Sequence, residues 1–115
     1  MPILDAYSFG RLTIDGIPYA KDIIIYPDGQ ILSPWWRKQG HVLEANDIQE
    51  LIQSDPEIII AGTGYSGLMQ PREELSQLLD DKNIQFIVER TGTAVQTYNQ
   101  LAAEKKVGCC FHLTC

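Results

Sequence analysis

Cysteine is scarce in this sequence: three in 115 residues, Cys109, Cys110 and Cys115, all close to its end. An odd, clustered set of this kind excludes the disulfide framework of a small secreted domain. Cys109 and Cys110 are adjacent, so on a strand they point to opposite faces and do not bridge. Buried thiols in a reducing cytoplasm are expected. Clustered positive charge is also missing. Nine Lys and Arg stand against fifteen Asp and Glu, for a net charge of -6, and the basic residues occur singly or in pairs. Nucleic-acid binding rests on cations that neutralise phosphates, so DNA and RNA are excluded as main partners, and anionic membrane surfaces with them. Long hydrophobic runs are absent too. The longest, around Glu57 to Ala61 and Val107 to Leu113, are strand length and too short to cross a bilayer. The opening Met1 to Tyr7 has no basic region followed by an apolar stretch, so it does not read as a signal peptide. A soluble, cytoplasmic protein is expected.

What is present fits one α/β domain over residues 1–115, because this length and 44% hydrophobic residues suit a single core. The first third reads as a β-meander: Ile3 to Ser8, Arg11 to Ile14, Ile17 to Tyr26 and Gln30 to Ser33. Asp15-Gly16 and Pro27-Asp28-Gly29 supply the positive φ that tight hairpin turns need. From Asn46 the apolar period becomes helical through Ile48, Leu51 and Ile52, and Asn46 to Gln49 is spaced as a capping box. Asp55-Pro56 ends this helix. Ile58-Ile59-Ile60 has the continuous apolar character of a strand buried on both faces.

A second helix is expected from Pro71 as its first residue, with Glu73 and Glu74 in its first turn and Leu75, Leu78 and Leu79 on one face. Ile84 to Glu89 is the next strand. A third helix, capped by Thr93 to Gln96, runs to Lys105 and Lys106, and Val107 to Leu113 is the last strand. Strands that alternate with helices become parallel through right-handed crossovers. The expected fold class is therefore three-layer β/β/α: an N-terminal β-meander packed on a mostly parallel βαβαβ sheet, with helices on the other face.

Ligands of such sheets bind beyond the carboxyl ends of the strands. Gly62, Thr63, Gly64 and Tyr65, then Thr91 and Gly92, and finally His112 are the ligand-binding candidates there, with helix N-termini favouring a small anion. Gly62 to Gly67 spells G-x-G-x-x-G, but Leu68 to Pro71 intervene before helix signals begin, and a dinucleotide site needs the helix to start within the motif. No cofactor is expected. His112 shares a strand face with Cys110 and Thr114, yet a structural zinc wants four converging ligands and the other histidine, His41, sits in an unrelated loop, so no metal is expected. Ser66 lacks the G-x-S-x-G context of a nucleophile elbow. Trp35, Trp36 and Arg37 are candidates for a partner-binding anchor, set against packing between the β layers; alternation on a strand buries one tryptophan and exposes the other.

Taken together, Phe9-Gly10, Lys21-Asp22, a tryptophan at Trp35 or Trp36, Gly62-Thr63-Gly64, Thr91, Ala94-Val95, Tyr98-Asn99 and His112-x-Thr114-Cys115 carry a resemblance. The chain resembles the Mth-type domain family, which includes the adipogenesis-associated Mth-domain-containing protein and complex I assembly factor relatives. The resemblance implies a compact β/β/α fold, no established reaction, and assembly or regulatory roles through protein contacts. An unknown protein partner is thus expected, for a monomer or homodimer that is not an enzyme. An enzyme acting on a small anionic substrate at the glycine loop is the alternative.

Overall fold

A computed structural model describes all residues, 1–115. A five-stranded mixed sheet forms its middle layer. Three neighbouring strands are parallel: β7 (Ile58–Gly62) lies between β9 (Gln85–Glu89) and β10 (Val107–Phe111). On the other side of β10 the antiparallel hairpin of β4 (Ile23–Ile25) and β5 (Ile31–Leu32) completes the order β5-β4-β10-β7-β9. All five residues of β7 and all five of β10 are buried, as the isoleucine run requires. Ile58 and Ile60 face one core and Ile59 and Ala61 the other. Cys109 and Cys110 divide in the same way, both as free thiols.

The meander is shorter than expected. It consists of β1 (Leu4–Ser8), β2 (Arg11–Ile14) and β3 (Ile17–Tyr19), a separate three-stranded antiparallel sheet. The single strand expected over Ile17 to Tyr26 is two. Ala20 to Asp22 carry the chain from the meander to the main sheet, where β4 is buried at every position. Asp15 and Gly16, with φ of 51° and 81°, make the expected turn between β2 and β3.

The expected mixed α/β fold is observed, with one rearrangement of its layers. Helix α1 (Gln49–Gln53), preceded by a 3-10 turn at Ala45–Ile48, and helix α2 (Glu73–Asp81) cover one face of the sheet. Helix α3 (Thr91–Leu101) lies on the opposite face, together with the meander. The reason is strand order. The crossover from β7 to β9 moves one way along the sheet, and the crossover from β9 to β10 moves back past β7. Right-handed connections that run in opposite directions put their helices on opposite faces. The side chain of Asn99 on α3 then completes β1: Leu4 N–H donates to its Oδ1 at 3.0 Å, and its Nδ2 donates to Leu4 O at 2.7 Å.

Helix boundaries also shift. Pro71 does not open α2 but belongs to a two-residue strand, β8 (Gln70–Pro71), parallel to β6 (Val42–Leu43). Helix α3 starts at Thr91, two residues before the expected cap, and ends before Lys105 and Lys106. In the 3-10 turn the reciprocal partner of the chain entry is Asp47, whose Oδ2 accepts from Glu44 N–H at 2.8 Å, and not Gln49.

A buried central strand should dominate stability. Ile60→Ala is expected to lower the unfolding free energy by about 2–5 kcal/mol, whereas Val88→Ala, on a side chain 40% exposed at the sheet edge, should change it by less than about 0.5 kcal/mol. Urea denaturation of both variants checks this.

Candidate functional site

The crossovers from β7 and β9 diverge where β7 and β10 lie side by side, which makes the carboxyl ends of these two strands the place where an α/β sheet opens a crevice. Here the crevice is filled by the chain itself. Residues 112–115 continue from β10 and take a partner from almost every neighbouring segment. His112 N–H donates to Gly62 O at 2.9 Å, and Leu113 O accepts from Gly10 N–H at 2.7 Å and from the Tyr7 hydroxyl at 2.8 Å. Tyr65 N–H donates to Thr114 O at 2.7 Å and Leu68 N–H to Cys115 O at 3.0 Å. Burial, then the charges of Asp22 and Tyr65, push the Tyr7 phenol up to about 12, so it remains a proton donor.

Thr91 joins the expected segments from inside. Its hydroxyl donates to His112 O at 2.6 Å and accepts from Gly64 N–H at 2.8 Å. Glycine is required at two points of this joint. A Cβ on Gly62 would sit 2.7 Å from the Phe111 ring, and one on Gly64, whose φ is 109°, would sit 2.5 Å from the Cys115 carbonyl carbon. Thr63 is buried, and both its amide and its hydroxyl donate to Glu89 O. The structure therefore brings together Gly62, Thr63, Gly64, Tyr65, Thr91 and His112. The amides of Thr63, Gly64, Tyr65, Leu68 and Thr91 are all engaged within the chain, which removes them from an anion cradle. Gly92 lies outside this joint, exposed in the first turn of α3 and beside Tyr7, in a surface groove of about 580 Å³ that it shares with Asp5 and Arg90.

Asp22 anchors the same segment from the other side. Its Oδ1 accepts from Leu113 N–H at 2.8 Å, while Oδ2 accepts from Arg37 Nη1 at 2.9 Å and lies 2.7 Å from His112 Nδ1. Burial raises the cost of the Asp22 charge, but hydrogen bonds from His112, the Leu113 amide and Arg37 outweigh it and hold its pKa below the ordinary carboxylate value. Arg37 also donates through Nε and Nη2 to Gly40 O, at 3.1 and 2.7 Å, and its guanidinium stacks 4.7 Å above the centre of the Trp35 ring.

A family model described as "Protein of unknown function (DUF498/DUF598)" matches residues 4–112. The chain belongs to this family. Among solved structures of similar fold, MT938 is 28% identical, with all of both chains covered and a TM-score of 0.82. A Bartonella henselae protein described as an outer membrane protein is 30% identical, covering 98% of this chain and 95% of that one, with a TM-score of 0.82. A Bordetella pertussis protein described as a Mth938-like domain is 22% identical over 97% of this chain and 85% of that one, with a TM-score of 0.67, a likeness of fold alone. The Mth-type resemblance is thus confirmed, and it brings no assigned reaction.

Of the three partner-binding candidates, only Trp36 is free. Trp35 is 3% exposed and donates from Nε1 to Asp47 O at 2.9 Å, and the Arg37 side chain is 4% exposed within the Asp22 cluster. Arg37 as a surface anchor is corrected for that reason: its charge is already matched. Trp36 is 75% exposed. Sequence reasoning missed a second exposed group. Phe9 meets Tyr65 edge to face, with ring centres 5.9 Å apart; Tyr7 lies behind at 6.4 Å, and Leu68 is exposed on the same loop as Tyr65. Phe9 sits in a two-residue turn, where an exposed aromatic is the available signal. The Asp22 cluster was missed because its members are far apart in sequence. Burial pushes the Cys110 thiol up to about 12 and raises that of Cys109 well above its ordinary value, which keeps both protonated.

Thr91→Val keeps the volume but leaves Gly64 N–H and His112 O unpaired, and the expected loss is about 1–3 kcal/mol for each group, read by urea unfolding; retained stability would show that other groups take over these bonds. For Asp22, a lowered folded-state pKa means that its contribution is complete above the unfolded value of about 3.9 and disappears as pH falls through the lowered one. Asp22→Asn should therefore be less stable than wild type at neutral pH and show a flatter loss of stability as the pH falls below about 5; parallel pH curves would contradict it.

Proposed function

We propose that this domain binds a partner protein through the rim at the carboxyl ends of its strands, and that it is not an enzyme. The observation that supports this reading is the exposed aromatic surface of Phe9 and Tyr65, flanked by Leu68, with Trp36 leaving the same end of the sheet after β5. Aromatic side chains bring large contact area at small entropic cost, and such residues dominate binding energies at interfaces. Chemistry on a small anion is the weaker reading, because the glycine-loop amides that would hold it are already paired.

Charge adds to the case. Arg11 begins the strand after Phe9-Gly10, the Arg90 side chain lies 3.4 Å from the Cβ position of Gly67, and Lys21 precedes β4 at the same rim. On a chain of net charge -6, this places cations around the aromatic surface and favours an acidic partner. A cytoplasmic location is part of the proposal, on the strength of the three free thiols. No helix is long and apolar enough to cross a membrane. The Bartonella relative's description as an outer membrane protein makes cell fractionation the direct check.

The test is crosslinking in native lysate, identification of the captured protein, and titration of that protein in purified form. Phe9→Ser with Tyr65→Ser should weaken its affinity at least about tenfold, the mark of losing one interface hot spot, while Thr63→Ala should leave it within about twofold. Sensitivity to Thr63→Ala with indifference to the aromatic pair would favour the enzyme reading. Capture of a second copy of the chain would make the module a homodimer.

A further inference from the structure

One buried side-chain polar atom has no hydrogen-bond partner, and it is His112 Nε2. The residue is 6% exposed, so water does not compensate this nitrogen freely. Its other ring nitrogen is committed. Nδ1 lies 2.7 Å from Asp22 Oδ2 and 3.1 Å from Arg37 Nη2. A ring nitrogen has a single in-plane site, and the shorter contact to a carboxylate takes it as an Nδ1–H donor, while Arg37 Nη2 has a better acceptor in Gly40 O at 2.7 Å. A neutral imidazole held in this way presents a lone pair at Nε2. A carboxylate behind Nδ1 is also the arrangement that orients histidine ligands of metal ions and raises their basicity.

A second imidazole is beside it. The His41 ring lies 5.7 Å from that of His112, centre to centre, and is inclined by 69°. His41 is exposed, but its backbone is fixed: its carbonyl accepts from Gln70 N–H at 3.0 Å, and the neighbouring Gly40 carbonyl is held by Arg37. Two imidazoles on one tetrahedral ion, with metal–nitrogen bonds of about 2.0–2.1 Å, have ring centres about 5 Å apart. His41 is exposed, so its ring is the one that would turn to close the difference. The nearby guanidinium does not oppose a cation, since Asp22 neutralises it at 2.9 Å.

We propose that His112 and His41 form a two-imidazole site for a divalent ion of intermediate softness, such as Zn²⁺, with the remaining positions open to water or to a donor from outside the chain. The site uses none of the aromatic surface's side chains and does not depend on the protein-binding reading. His41, expected in an unrelated loop, is brought beside His112 by the fold.

The experiment is calorimetric titration of the chelator-treated chain of residues 1–115 with Zn²⁺, supported by the visible absorption of Co²⁺. One ion per chain is expected. His41→Ala changes an exposed residue, and His112→Asn retains a donor toward Asp22 while deleting the Nε2 position. Each should weaken binding at least about tenfold and abolish the rise in Tm that the metal gives wild type, whereas Cys115→Ser should leave both unchanged. The proposal is overturned if no saturable binding occurs, if either histidine variant keeps wild-type affinity, or if Cys115→Ser removes it.

Discussion

The Asp22 carboxylate ties together parts of the chain that nothing local would join. One oxygen takes the Leu113 amide and the other is shared between Arg37 and His112. Asp22 stands at the entrance to β4, Arg37 follows β5, and His112 and Leu113 follow β10. A charge at this depth is tolerable only when it is hydrogen-bonded on every side, and breaking one arm leaves the others with uncompensated charge. The carboxylate therefore sets the path of residues 112–115 across the mouth of the sheet. Once that path is set, Gly10, Tyr7, Thr91, Tyr65 and Leu68 find partners on it.

This accounts for much of the pattern that carries the family resemblance. Gly10, Asp22, Gly64, Thr91 and His112 all bond to, pack against or belong to the same terminal segment, and Asn99 holds β1 to α3. Small, polar residues in loops are often read as chemistry, and here most of them serve main-chain pairing. The G-x-G-x-x-G spacing has the same origin. Its middle glycine lets the loop pass against the Cys115 backbone, where a side chain would collide, and no helix begins behind it to receive a pyrophosphate.

What could be read from sequence was whatever local periodicity encodes. Ile58 to Ile60 declared a strand buried on both faces, Asp15-Gly16 declared a hairpin, and the helical faces of α2 and α3 were evident. Strand order was not legible, because neither β9 nor β10 records which side of β7 it will occupy; the position of α3 beside the meander follows from that order alone. The split between β3 and β4 was hidden for a related reason. Ile23 to Ile25 suits either sheet, and its membership is decided by pairing with β10, more than eighty residues away. The Asp22 cluster and the approach of His41 to His112 are long-range in the same sense. A local reading separates them, and only the fold brings them into one volume.

The filled crevice has a consequence for where function can reside. In an open α/β sheet the divergence of crossovers leaves room for a ligand, and helix N-termini supply its counter-charge. Here that room is given over to main-chain pairing, since residues 112–115 supply partners to the amides of Gly10, Tyr65 and Leu68 and to the carbonyl of Gly62. What remains at the mouth is its outer surface, and that surface is aromatic where the interior below it is polar. Phe9 and Tyr65 stay exposed although Leu12 and Phe111 are fully buried, so the aromatic rings were not left out for want of a core. An apolar group kept in water costs solvation free energy, and a contact with another macromolecule, as proposed above, would recover it.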